Sequence, residues 1–410
     1  MNPEEKQVTA LVAVEGEELP AGKGSEQKDG YWARVASRYT VVWRVLLVAL
    51  LLFAVLFMLL FSRAFTYDSV LCFFKDIQTV SAFIPSDYDT VSATFEEGEH
   101  TALSYRGGVA FVNAGGIEVY SPDGRRLLDV SRDFATPRAV ASRKYLVAYD
   151  GGGKTFSVTN SYAELFRGET EFPIYGAEAS DSGHFALITG SDAVLSQILL
   201  YDNNFNLIQR FGRASATVGI SLSDNGKRIA IVGVSASEGT VRTVLDVYRL
   251  GESNPQISLA FEGEIPLSVD FTNNKNIFVL TDKALRCYEI NGDISAELFS
   301  DGEPVAYTVN NDGAALVLET DKIAATHRVV VFDKKGEQVY DGEFDRDVTA
   351  ISLYEEEIYL LAGTDVVCID ARNQKQSVIA VESGATDLFA VDAGQIRVVY
   401  PAKAVYLQFK

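Results

Sequence analysis

Cysteine is nearly absent from this chain, with only Cys72, Cys287 and Cys368 among 410 residues. An odd count without short spacings gives neither a disulfide framework nor a zinc pattern. Cys287 in ALRCYEI and Cys368 in DVVCIDA lie inside apolar runs, where a free thiol behaves as a small buried hydrophobe. Histidine is also scarce: His100, His184 and His327 stand far apart and offer no paired metal-ligand spacing. Tryptophan is confined to Trp32 and Trp43, so the rest of the chain has no indole platform for stacking on sugars. Positive charge is short as well, with 36 Lys and Arg against 56 Asp and Glu, a net of −20. Residues 1–62 hold 6 basic and 7 acidic side chains, which leaves 30 and 49, a net of −19, for residues 63–410. Such a segment repels nucleic acid and anionic headgroups, so nucleic-acid binding is disfavoured.

Long apolar runs are missing too, with one exception. Val45 to Phe61 reads VLLVALLLFAVLFMLLF, without charge, Gly or Pro. Those residues cover roughly 26 Å as a helix. Adding Val41, Val42 and Trp43, with Arg44 snorkelling, reaches the roughly 30 Å of a hydrocarbon core. A transmembrane helix is therefore expected over 41–62. Lys23, Lys28, Arg34, Arg38 and Arg44 precede it, while only Arg63 and Lys75 follow closely, so the N-terminus is expected in the cytoplasm and the remainder outside. The competing reading is a cleaved signal peptide, since Ser62-Arg63-Ala64 loosely fits a cleavage site. The length of the apolar run and the roughly 40 preceding residues weigh against it. Residues 1–40 read as a disordered cytoplasmic tail, rich in Glu, Gly, Lys and Gln over its first 30 positions, and 63–78 as a membrane-proximal linker.

From residue 79 the texture is all-β. Short alternating runs rich in Val, Ile, Tyr and Phe are punctuated by Gly, Asn and Asp, and no stretch keeps a helical period. A unit recurs every 37 to 50 residues: a strand of small residues, a turn, a strongly apolar strand, a strand ending in Tyr or Phe plus Asp, then a polar outer strand. Units open at TALSYRG and PRAVASR, then near Tyr175, Thr217, Leu267, Val305 and Val348. This is the spacing of four-stranded propeller blades. In the longest unit, SASEGTVRTV reads as an extended hairpin between second and third strands. The last piece, TDLFAVDAGQIRVVYPAKAVYLQF, supplies three strands, and material within 79–96 is expected to provide the fourth and close the ring. The expectation is a β-propeller over 79–410 with eight blades, or seven if one unit is miscounted. Its first strands (RAVAS, YGAEAS, VGISLS, VAYTV, VTAIS) are small, as a crowded channel requires. Without tryptophan, the repeated docking motifs of quinone-dependent dehydrogenase propellers are absent.

Apparent chemistry mostly dissolves on inspection. Ser180–Gly183, Ser223–Gly226 and Asn310–Gly313 resemble calcium loops but lack their acidic spacing and recur where a tight turn is needed. Asp150-Gly-Gly-Gly-Lys154 invites a phosphate-loop reading, yet KTFSV after it is a strand and not a helix. No GxSxG elbow is present. No cofactor or metal is expected. If the propeller binds something, the usual place is the face formed by outer-to-inner and second-to-third strand loops, where Arg138, Asp150, Lys154, Glu178 and Asp270 are the candidate binding residues.

SPDGRRLLD and TPRAVASRKYLVAYDGGGKTFSV, together with the anchor and the repeat, resemble an uncharacterised domain-of-unknown-function family of Gram-positive anaerobes. That resemblance implies a short cytoplasmic tail, one membrane helix and an extracytoplasmic propeller, and it carries over no catalytic residue. The sequence thus points to a non-enzymatic binding, scaffold or sensor module at the cell envelope, monomeric outside the membrane, whose partner is an envelope protein or a cell-wall polymer. The alternative is a wall-directed hydrolase or lyase using carboxylates such as Glu178 or Asp270.

Overall fold

The computed structural model describes residues 39, 41–53, 92–95, 99–237, 239–321 and 326–409. The chain divides into a unit of residues 1–76 and a unit of residues 77–410. In the first, residues 41–53 are helical, and among the described residues no helix is long and apolar enough to cross a membrane. The rest of the expected span, 54–62, lies outside the described residues, as do nearly all of the 1–40 tail and the 63–78 linker.

In the second unit the described residues form eight four-stranded antiparallel sheets. Blades 1 to 7 occupy 100–131, 137–169, 174–213, 216–262, 266–299, 303–344 and 350–380, with strands in sequence order from the axis outwards. Blade 8 takes its three inner strands from 387–408 and its outermost strand, Ser92–Thr94, from the other end of the unit. Ser92, Ala93 and Thr94 pair with Val405, Ala404 and Lys403. Ring closure by an N-terminal strand, and eight blades rather than seven, follow the sequence expectation. The innermost strands contact one another in cyclic order, blade 1 meeting both blade 2 and blade 8. Only small side chains let eight strands converge in this way, which explains PRAVA, IYGAEA and ATVGISL at these positions.

The core lies between blades. Alternation along each second and third strand sends one set of side chains to each neighbouring blade, so both faces are buried and the strands read as apolar runs. FALIT of blade 3 is wholly buried, its Phe185 and Leu187 facing blade 2 while Ala186 and Ile188 face blade 4. The closing seam uses Ala93, Phe95, Phe111 and Val399, with the Phe95 and Phe111 rings stacked at 3.7 Å between centroids. Burying such aromatic pairs stabilises by a few kcal/mol each. The hairpin expected in the longest unit is present. Arg228–Ser237 and Thr240–Arg249 pair along their whole length, two residue pairs beyond the outer strand of blade 4. At Asn310–Gly313 the glycine is obligatory: φ is +148°, and a Cβ would sit 2.0 Å from the Phe332 carbonyl oxygen.

Candidate functional site

Strand order defines two faces. One carries the turns from first to second and from third to fourth strands. The other carries the second-to-third turns and the connections from an outer strand to the next inner strand, and is called here the loop face.

Arg138, Asp150 and Lys154 stand at the loop face of blade 2. Arg138 is the second residue of the inner strand Pro137–Ala141 and reaches Glu99 at 3.3 Å. Asp150 ends the second strand, and its Oδ1 accepts from the Thr136 amide at 2.7 Å, tying the turn to the incoming connection from blade 1. The glycines between Asp150 and Lys154 form a hairpin turn: Gly153 N donates to the Asp150 carbonyl, Gly152 N to the Ile174 carbonyl, and the strand Thr155–Thr159 follows. Lys154 is exposed, while its carbonyl accepts from Thr170.

Glu178 and Asp270 depart from the expected placement. Each is the fifth residue of its inner strand, Ile174–Ala179 and Pro266–Thr272, so both lie towards the opposite face. Relative to Arg138, the second residue of its strand, they are displaced about 10 Å along the channel at the rise of a strand. The sequence-proposed set is therefore two groups at opposite ends.

The channel group has its own electrostatics. Both residues are half-buried by exposure, while their carboxyls are surrounded by protein atoms. Burial holds Glu178 well above the usual carboxylate range, and the like charges of Asp270 and Asp224 add to the effect. Burial pushes Asp270 up to about 7, partly offset by the Ser268 hydroxyl donating to it at 2.8 Å. Asp224 is raised by burial and then by Asp181, with Asn311 and Arg143 opposing. The turns at this mouth are laced together. Arg143 donates through its amide and Nε to Asp181 at 2.7 and 2.5 Å, and Asn311 of blade 6 reaches Asp224 of blade 4 at 2.7 Å. The three calcium-like clusters belong to this lacing: each places a glycine at positive φ in a first-to-second strand turn, as expected of turns.

A third set escaped sequence reasoning. Arg213 ends the outer strand of blade 3 and binds Asp246 and the Tyr248 hydroxyl of blade 4, all buried. Glu264, in the connection to blade 5, takes a two-point contact from Arg286 at 2.7 and 2.9 Å, and Arg286 also donates to Glu297. Arg132 and Glu164 repeat the device between blades 1 and 2. A signal existed: TVLDVY, ALRCY and QIRVVY each carry one charge inside an otherwise apolar buried run. Such a charge needs a partner. These ion pairs lock neighbouring blades beneath the loop face.

Among the described residues, clefts include one of about 510 Å³ lined by Arg132, Phe134, Ser157 and Arg167, one of about 430 Å³ lined by Glu343, Arg346 and Gln376, and one of about 400 Å³ lined by Lys227, Arg249 and Asn274. None of the three contains Glu178 or Asp270. Cys287 and Cys368 are buried as expected, their thiols pushed up to about 11 and about 12 by burial.

This architecture defines an eight-bladed β-propeller closed by its N-terminal strand. The chain belongs to the family of unknown function DUF5711, whose model matches residues 86–404. No curated protein matches it in sequence. Among solved structures it is similar to BamB from Moraxella catarrhalis, at 13% identity and a TM-score of 0.53, over 78% of this chain and 97% of that one. It is also similar to apo AztD from Citrobacter koseri, at 12% identity and 0.51, over 73% and 90%, and to Saccharomyces cerevisiae Sqt1, at 10% identity and 0.50, over 79% and 98%. At these identities the likenesses establish the fold.

Proposed function

We propose that the chain is a membrane-anchored propeller, tethered through residues 41–62 with its N-terminus in the cytoplasm, that acts as a binding or scaffold module at the bacterial envelope. The observation that carries the binding role is the rigid closed ring. Inter-blade ion pairs and a paired N-terminal strand fix the framework, so the loop face is held in place before any partner arrives. Preorganisation of this kind lowers the entropic cost of association. The acidic balance of residues 63–410 directs the choice towards protein or wall polymer and away from nucleic acid. Alkaline phosphatase fused after Lys410 is expected to be active in cells, and an inactive fusion contradicts the topology. Crosslinking of the full chain in cells is expected to capture one recurrent envelope protein, and capture of nothing above background contradicts the binding role.

One observation favours a second reading, a wall-directed hydrolase or lyase. Glu178 and Asp270 are carboxyls of different blades close enough for the charge of Asp270 to disfavour ionisation of Glu178, so one can hold a proton while the other is ionised. Loss of wall cleavage in both Glu178→Gln and Asp270→Asn, with folding intact, would establish it.

A further inference from the structure

Exposed large apolar side chains of the propeller are unevenly distributed. Tyr175, Val218, Ile265 and Val305 lie in the opening half of, or just before, the inner strands of blades 3 to 6, and Tyr307 lies midway along that of blade 6. Leu195 and Val241 stand at second-to-third strand turns of blades 3 and 4, and Phe299 ends the outer strand of blade 5. Apart from Tyr307, these positions belong to the loop face, and the four blades are consecutive. Tyr175, Leu195 and Phe299 are 64%, 66% and 63% exposed. The remaining exposed large apolar groups of the propeller, Leu207, Ile208, Ile294 and Val378, sit on outer strands at the perimeter. Among the described residues blades 1, 2, 7 and 8 add none to the loop face.

Charge identifies the occupant. Glu169, Glu171, Asp192 and Asp282 surround the apolar positions on the same connections. Of the cations there, Arg242 pairs with Glu262 at 3.0 Å, Arg328 holds Asp301 and Asp341 at 3.0 and 2.6 Å, and Lys283 stands exposed beside Asp282. An anionic bilayer and a second copy of this face would both be repelled by such a rim. We infer that the loop face of blades 3–6 docks an apolar, positively charged segment of a partner protein. The inference rests on the binding-module reading and specifies its face and the chemistry of its partner. Aromatic and aliphatic anchors would supply affinity, and the acidic rim would supply orientation and association rate.

The test is site-specific photo-crosslinking of the full chain in its native host. The crosslinking amino acid is placed at Leu195, Phe299 or Val305 on the face, and at Ile208 or Ile294 on the perimeter. The expected result is one protein linked from all three face positions and from neither perimeter position. Its linked peptide should be apolar with net positive charge. Replacing Glu171→Lys together with Asp192→Lys, both exposed, should lower the yield several-fold without changing the melting temperature. Links to lipid, to a second copy, to residues of the same chain before 92, or to an acidic peptide overturn the inference, as does a yield indifferent to charge reversal. Protein linked only from the perimeter overturns the face and leaves the binding module standing. No protein linked from any position overturns both.

Discussion

Replacing Asp270 with Asn should stabilise the propeller at neutral and alkaline pH. Burial raises this carboxyl from its ordinary 3.8 to about 7. The folded state therefore binds the proton more tightly than the unfolded chain. Its contribution is fully present below about pH 3.8, falls as pH rises through about 7, and is constant above that. The gap between the two values corresponds to at most ~4 kcal/mol. Partial access of solvent to the channel reduces this, and ~1–2 kcal/mol is the expected gain for Asp270→Asn at pH 8. That is a rise of a few degrees in Tm for a domain of this size. Thermal melts of both proteins from pH 4 to pH 9 should superimpose at the acid end, diverge progressively from above about pH 4, and keep a constant gap above about pH 7. Ionisation of Glu178, itself held up by burial and by Asp270, should become easier in the variant, so the remaining pH dependence shifts to lower pH. A variant less stable than the parent at pH 8 would refute the reasoning, because the carboxylate would then be making a favourable charge interaction in the channel.

The seam should be sensitive: Phe95→Ala removes a ring stacked on Phe111 and should cost about 2–4 kcal/mol, while Ala93→Asp in the closing strand should cost more, both read by urea denaturation. Glu264→Ala strands the buried Arg286 with only Glu297 and should destabilise by about 3 kcal/mol in the same assay. Arg397 is fully buried between blades 8 and 1, donates to the Gly107 and Pro122 carbonyls, and is lowered to about 10 by burial. With no carboxylate in direct contact, Arg397→Met should be neutral or stabilising by up to about 1 kcal/mol. Cys287 and Cys368 should resist thiol reagents at pH 8 until the protein is unfolded.

The ring was legible in the sequence because its cause is local and repeated. Mostly small residues at the inner strands, an apolar second strand and a third strand often ending in Tyr or Phe plus Asp recur from blade to blade. TDLFAVDAGQIRVVYPAKAVYLQF offers three strands where four are needed, which forces a partner strand from elsewhere, and Ser92–Thr94 supplies it. The ends of the channel were harder to read. Glu178 and Arg138 both fall on inner strands, and only counting back from the following turn shows that they lie at opposite mouths. SDSG begins two residues after Glu178, so that reading was available in principle. The partners of Arg213 and Arg286 were not, because Asp246 lies 33 residues away and Glu264 lies 22, and connection lengths vary between blades. A buried charge announces that a partner exists without naming it. The loop-face patch leaves still less trace, since an exposed Leu195 or Phe299 has the same letters as a core residue and differs only in its distance from a strand end.

Binding through the loop face is tested most directly by the mass of the assembly the chain forms. The full-length protein and a Leu195→Asp, Phe299→Asp variant are extracted from the native host under one mild condition and sized by light scattering. The account predicts that the parent elutes with the added mass of a partner protein, and that the variant, with an unchanged melting temperature, elutes without it. Equal masses for the two would contradict the account.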